Sequence, residues 1–309
     1  MKLISAIVPC YNEEENVSYF YDEFIKNKSF FDANDLAYEL IYVDDGSSDA
    51  TASEVKKVIG KDSNVHLISL SRNFGKESSM YAGMQMAKGD YVVIMDSDLQ
   101  DPPSLLPELY GYLQEGYDVA ATRRTTRNGE PPVRSFFARA FYHIINKWSQ
   151  TEIVDGARDY RLMTRQVVDA VLSMSEYCRF SKGIFSWVGF RTKWVEYENI
   201  ERVKGTTKWN FWSLFTYAMD GIVGFSTAPL KIASITGSVF CLISVIMIIF
   251  TIVRKLAFGD PTSGWPSLVC IIFLVSGVQM LCLGAVGQYL EKIYLEVKHR
   301  PIYIIKEKM

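Results

Sequence analysis

Four short stretches hold the side chains best suited to chemistry: Pro9-Cys10-Tyr11-Asn12-Glu13-Glu14, Asp44-Asp45-Gly46-Ser47-Ser48-Asp49, Arg72-Asn73-Phe74-Gly75-Lys76-Glu77 and Asp96-Ser97-Asp98-Leu99-Gln100-Asp101. Carboxylates spaced as closely as Asp96, Asp98 and Asp101 repel one another in a partly desolvated cleft and raise each other's pKa. A hard divalent cation with oxygen ligands removes that repulsion, and Mg2+ or Mn2+ carrying a diphosphate is the usual arrangement. Short acidic loops also cap helices, a role open to Asp49 and Asp101. One D-x-D alone carries little weight, whereas several such motifs in order carry a good deal.

Each stretch follows an apolar run. Leu3–Pro9, Glu39–Asp44, Val65–Leu70 and Tyr91–Asp96 read as strands, the first uninterrupted in the manner of a strand buried on both faces. Between them Val17, Phe20, Tyr21, Phe24 and Ile25 mark one face of a helix over Glu13–Lys28, and a second helix is expected near Ser78–Ala87. Strand and helix in alternation predict an α/β domain with a mostly parallel sheet and helices on both sides. Such sheets bind ligands beyond the carboxyl ends of their strands, which is where the four stretches fall.

The 309 residues carry 33 Lys+Arg against 35 Asp+Glu, a formal net charge of −2. That balance excludes a basic nucleic-acid footprint, so no nucleic-acid partner is expected. Five cysteines without paired spacing read as free thiols, and three histidines without a cluster exclude a zinc site. No G-x-G-x-x-G follows any strand, which excludes a dinucleotide oxidoreductase. The first apolar run is too short for a signal peptide, so the first domain is expected in the cytosol.

The mean hydropathy of +0.04 is high for a soluble enzyme, and the excess lies towards the C-terminus. No charge interrupts 232–253, and a second uncharged stretch has its apolar body at 267–290. Each is long enough to cross about 30 Å of hydrocarbon. Lys204, Lys208 and Lys231 precede the pair; Lys292, Lys298, Arg300, Lys306 and Lys308 follow it; the loop between holds only Arg254 and Lys255. The positive-inside rule therefore predicts a multi-pass membrane protein, expected in the cell's inner or plasma membrane, with the folded domain and both termini cytoplasmic. Trp209, Trp212, Phe215, Met219, Ile222 and Val223 recur at helical steps, as in a helix lying in the headgroup plane. The expected organisation is thus a cytosolic domain over 1–205, an interfacial helix over 206–229, a transmembrane hairpin over 230–290 and a cytosolic tail over 291–309. The strand-like tail run at 300–305 is expected to pair with the sheet edge of another copy, giving a homo-oligomer.

Together VPCYNEE, VDDGSSD, RNFGKE and MDSDLQDPP resemble the family 2 glycosyltransferases of the GT-A nucleotide-sugar fold. Within that family the chain is similar to the polyprenyl-phosphate glycosyltransferases, relatives of dolichol-phosphate mannose synthase and of bacterial undecaprenyl-phosphate sugar transferases. The likeness extends over nearly the whole chain. It implies nucleotide contacts at Pro9, Tyr11 and Glu13, base recognition by Asp44 and Asp45, a donor-phosphate contact at Lys76, and nucleotide contacts at Asp96 and Ser97. It also implies metal ligation by Asp96, Asp98 and Gln100. Gly156–Met163 resembles the family's D-F-R-L segment, with Tyr160 in place of Phe, which makes Asp159 the catalytic carboxylate. Arg123 and Arg134 resemble arginines that grip the acceptor phosphate, although Ala138 stands where one relative has a serine. The basic run Glu201–Lys208, with Arg202 and Lys208, resembles a loop that closes over the donor.

The resemblance implies transfer of a sugar from a nucleotide sugar, UDP-linked in bacterial-type members, to undecaprenyl phosphate, with Mg2+ or Mn2+, inversion and release of the nucleoside diphosphate. Because a phosphate monoester is largely ionised near neutral pH, its second pKa being about 6, Asp159 is read as orienting or stabilising the cationic sugar carbon as readily as acting as a base. A processive polysaccharide synthase is the nearest rival, but there is no Q-x-x-R-W and two spans enclose no tunnel. The other rival is a non-catalytic membrane scaffold, opposed by intact Asp96, Asp98 and Gln100.

Overall fold

The computed structural model describes residues 1–124, 154, 156–197, 222–258 and 264–309. Its centre is an eight-stranded sheet: β1 (Lys2–Cys10), β2 (Leu36–Asp44), β3 (Val65–Leu70), β4 (Tyr91–Ile94), β5 (Val119–Arg124), β6 (Ala157–Thr164), β7 (Thr192–Tyr197) and β8 (Ile305–Lys308). The spatial order is β7-β5-β6-β4-β1-β2-β3-β8. β1 pairs in parallel with β2 and β4, β2 with β3, and β5 with β7. β6 runs antiparallel between β4 and β5, so the expected mostly parallel sheet is mixed on that side.

Period-two alternation buries both faces of the central strands. Ile4, Ala6 and Val8 of β1 join Leu40 and Tyr42 of β2 in one apolar layer; Ile7, Ile41 and Val43 belong to the other. The first layer is covered by α1 (Val17–Ile25), α2 (Lys28–Ala33), α3 (Thr51–Ile59) and α5 (Leu106–Gln114). The second is covered by α4 (Lys76–Met86), α6 (Arg165–Ser173) and α7 (Ser181–Trp187). α4 lies close enough to the sheet that a Cβ at Gly83 would stand 2.3 Å from Cγ2 of Ile7. A glycine is what lets this helix approach, and the helix carries Lys76 at its first turn.

Two long helices follow, α8 (Ala228–Phe258) and α9 (Trp265–Val297). Both are long and apolar enough to cross a membrane, with windows at Ala228–Met247 and Ile271–Val297 of mean hydropathy 2.0 and 1.8 and none of those residues buried. Among the described residues, rows of Ile, Leu, Val and Phe on both helices are exposed. Each extends past the expected spans; at about 1.5 Å per residue the ends reach beyond a hydrocarbon layer. The last turns of α9 meet the globular domain, where Glu296 accepts the backbone N–H of Tyr177 at 3.0 Å.

Within the chain the tail strand β8 begins at Ile305, where the expected run ends, and runs antiparallel to β3, with Leu67 and Met309 exchanging backbone hydrogen bonds at 3.0 and 2.9 Å. The outgoing helix returns the chain to this edge, so the unpaired groups of β3 find their nearest partner within the same molecule. Of the expected interfacial helix, 222–225 is helical and residues 206–221 lie outside the described residues.

Candidate active site

The four stretches do converge at the carboxyl ends of β1 to β4. The loops after β1 and β2 are stitched together: the Asn12 N–H donates to Ser47 Oγ at 2.9 Å, the Ser48 N–H to Asn12 Oδ1 at 2.9 Å, and the Glu13 N–H to Thr51 Oγ1 at 2.9 Å. Pro9 ends in the sheet beside Val43, while Tyr11 is exposed at the rim.

Asp44 and Asp45 are both buried. Asp44 accepts the Ser47 N–H at 3.0 Å and the Ser69 hydroxyl at 2.7 Å. Asp45 accepts the backbone N–H groups of Phe74 at 2.7 Å and Gly75 at 2.9 Å, which sets the turn from which α4 starts. Burial raises the Asp45 pKa, and these two N–H groups oppose that rise. The carboxylates expected to read a base thus hold the second and third loops in place.

Lys76 is the hub. Its Nζ lies 2.7 Å from Asp96 Oδ1 and 2.5 Å from Asp159 Oδ2. Burial of the ammonium opposes its charge, yet the two carboxylates prevail and raise its pKa. Asp159 shows the converse: burial favours the protonated form, but Lys76, with Lys182 and Arg161 further off, holds the carboxyl well below the usual range. Asp159 is therefore anionic across the physiological range. The link between Lys76 and Asp159 spans 83 positions, and β6 makes it by placing Asp159 on the sheet two strands from β1.

Alternation along β6 sends Arg158 to the other side of Asp159. Arg158 Nε lies 3.1 and 3.2 Å from the two oxygens of Asp101, and its NH2 lies 3.8 Å from Asp96 Oδ2. Asp101 is fully buried and also accepts the Tyr197 hydroxyl. It is a structural anchor that ties the loop after β4 to β6 and β7, and neither helix cap nor metal ligand describes it. Burial would lower the Arg158 pKa, but Asp101 and Asp96 raise it.

Glu77, Arg158, Arg161 and Ser181 belong to this site and sequence reasoning passed over them. Glu77 accepts the N–H of Ser181 at 3.0 Å and also its hydroxyl proton; burial, and then the charge of Asp159, push its pKa up to about 7. Arg161 is buried, stacks on Phe185 at 3.8 Å and donates to the Arg158 carbonyl at 2.8 Å; burial lowers its pKa to about 10. RNFGKE and GARDYRLM contain three of the four, so the available signal was the charge adjacent to Lys76 and Asp159.

The loop after β4 offers only hard oxygen donors. Asp98 is half-buried and accepts the Gln100 N–H at 3.2 Å, Ser97 is buried, and Leu99 turns the loop through a positive φ of 56°. Among the described residues no group of three His, Cys, Asp or Glu forms a closed cage. Small hard cations are held by one or two carboxylates together with substrate phosphates and water, so this donor set fits such an ion. Asp96 is already engaged by Lys76 and Arg158. Arg123 lies near the carboxyl end of β5, with its guanidinium on Glu196 of the neighbouring strand β7. Arg134, Arg202 and Lys208 lie outside the described residues.

Residues 5–172 match the family model described as glycosyl transferase family 2. The chain is 43 % identical over 305 residues to the "Putative glycosyltransferase CsbB" of Bacillus subtilis, covering 99 % of this chain and 92 % of that one. It is 40 % identical over 303 residues to the "Bactoprenol glucosyl transferase" of Shigella phage SfV, covering 98 % of each. Among solved structures, the mannosyl-3-phosphoglycerate synthase from Rubrobacter xylanophilus aligns with 18 % identity and a TM-score of 0.48 over 72 % of both chains.

Proposed function

The chain belongs to glycosyl transferase family 2 and is a glycosyltransferase of the GT-A fold, and from that premise we propose that it moves a sugar from a UDP-linked donor to a polyprenyl phosphate of the undecaprenyl class at a membrane surface. The observation that carries this reading is the 40 % identity to a bactoprenol glucosyl transferase, which runs on through both apolar helices. A lipid phosphate stays at the bilayer surface, so its transferase needs a catalytic cleft held there. Two exposed apolar helices, the second joined to the domain by Glu296, support that placement. Topology follows the charge distribution, with the domain and both termini cytoplasmic.

On this reading the donor lies across the ends of β1 to β4, with its nucleoside against Pro9, Tyr11, Glu13 and the loops shaped by Asp44 and Asp45. Lys76, Asp96 and Ser97 face its diphosphate and ribose. Asp98, with Asp96 and Gln100, would hold a divalent cation, Mg2+ or Mn2+, which would supply positive charge to a departing diphosphate. One acceptor phosphate oxygen forms a bond to the anomeric carbon while the bond from that carbon to the diphosphate oxygen breaks, and the electron pair leaves with the diphosphate. A single displacement inverts the configuration.

Asp159 has no proton to remove from an acceptor that is already ionised, the second pKa of a phosphate monoester being about 6. Locked as an anion by Lys76, it orients the acceptor and stabilises the positive charge on the sugar carbon. Arg123 and Arg134 are assigned to the acceptor phosphate, whose bidentate geometry suits guanidinium groups; Arg123 must then exchange Glu196 for it. Arg202 and Lys208 are assigned to closure over the donor.

The test is to incubate purified full-length protein with undecaprenyl phosphate, Mg2+ or Mn2+ and a panel of radiolabelled nucleotide sugars, with UDP-glucose first. Label entering the organic phase supports the reading and identifies the donor. Its absence across the panel contradicts it.

A further inference from the structure

Three consecutive residues at the start of α7 face three different parts of the molecule. Ser181 is held by Glu77, the neighbour of Lys76. The charge of Lys182 acts on Asp159. Gly183 lies against Phe225, where a Cβ would stand 2.5 Å from the ring, and Phe180 meets the same ring at 5.8 Å between centroids. Phe225 precedes α8 by only a few residues, so this short segment is the seam between the catalytic carboxylate and the apolar helices.

Lys182 is half-buried, and among the described residues it forms no ion pair within 4 Å. Of the other cations of the site, Lys76 holds Asp96 and Asp159, Arg158 holds Asp101, and Arg161 stacks on Phe185 and donates to the Arg158 carbonyl, with its buried Nε unpartnered among the described residues. A half-buried lysine that follows Ser181, which Glu77 ties to the Lys76–Asp159 pair, and that precedes Gly183, which packs on Phe225, is placed to hold an anion near that pair. We propose that Lys182 is a binding residue for the acceptor's phosphate, holding it between Asp159 and the membrane side of the domain. An ammonium there also offsets the repulsion between the Asp159 carboxylate and an incoming phosphate dianion. This rests on the proposed transfer to a polyprenyl phosphate.

The test compares full-length wild type, Lys182→Ala and Lys182→Arg in vesicles of neutral lipid, titrating undecaprenyl phosphate and the nucleotide sugar separately. Lys182→Ala is expected to raise the acceptor KM tenfold or more, with the donor KM within twofold of wild type, and Lys182→Arg to recover most of the loss. Donor binding by calorimetry confirms that each variant is folded. An equal rise in donor KM would overturn the inference by placing Lys182 on the diphosphate. A fall in kcat with acceptor KM unchanged would overturn it by reducing Lys182 to an electrostatic influence on Asp159. Inorganic phosphate, as a competitor, should lose potency in Lys182→Ala if headgroup chemistry alone is recognised; unchanged potency counts against the assignment. If wild type transfers nothing to undecaprenyl phosphate, the functional reading itself fails and takes this inference with it; an active wild type with an unaffected variant sinks only the role of Lys182.

Discussion

Two carboxylates bridged by one ammonium define the chemistry of this site. Because Lys76 holds Asp159 ionised, the account predicts that Asp159→Asn loses activity by about the same factor at every pH, on the order of a hundredfold for a lost electrostatic contribution. Rescue of the variant as pH rises would instead mark Asp159 as a base. Lys76→Met should depress kcat comparably, since it leaves Asp96 and Asp159 facing each other without a cation. Glu77 gives a prediction with a definite sign. Its folded pKa of about 7 lies above the ordinary 4.5, so between those values the folded protein keeps a proton that the unfolded chain releases. Its contribution to stability is complete below about 4.5 and is lost as pH rises through about 7. Glu77→Gln should therefore gain in Tm relative to wild type between pH 5.5 and pH 8; a constant difference would show that Glu77 titrates normally.

At the scale of elements, the site depends on how α4 and β6 are seated. Gly83→Ala forces a methyl group into Ile7 and Val43, an overpacking that costs about 1–3 kcal/mol. Because α4 must shift to relieve it, the variant should lose transfer activity as well as Tm, read by thermal unfolding alongside rate. Asp101→Ala strips a fully buried partner from Arg158, a change of about 3–5 kcal/mol for an uncompensated buried charge. The central strands were legible as apolar runs between Leu3 and Asp96, and α1 because its apolar residues repeat every three to four positions; a helix was expected near the place of α4 from the alternation of elements. β6 was not legible as a sheet member: in ARDYRLMT charged and apolar residues follow no strict alternation, and nothing local says it will enter between β4 and β5. The same insertion brings Arg158 to Asp101 and Lys76 to Asp159, contacts 57 and 83 positions apart that no local pattern announces. The backbone contacts of Asp45 and the anchoring of Arg158 by Asp101 were not legible for a related reason, since a carboxylate aimed at a group of its own chain and one aimed at a ligand look alike in sequence.

The whole molecule joins a soluble-type sheet to two bare apolar helices, and the tail closes the circuit. β8 covers the β3 edge and Lys56 pairs with Glu307 at 2.8 Å. Removing residues 301–309 should expose that edge, lower Tm and promote aggregation, measured by light scattering in detergent; unchanged behaviour would make the tail dispensable. On the proposed topology, a cysteine at Thr262 in an otherwise cysteine-free chain is labelled by an impermeant maleimide on intact cells, and one at Lys306 only after permeabilisation. The most direct test of the whole account is the transfer of label from a nucleotide sugar to undecaprenyl phosphate by wild type, Asp98→Ala and Asp159→Asn, side by side. The account predicts lipid-soluble product from wild type and at least about a hundredfold less from each variant; product formed at the wild-type rate by both would contradict it.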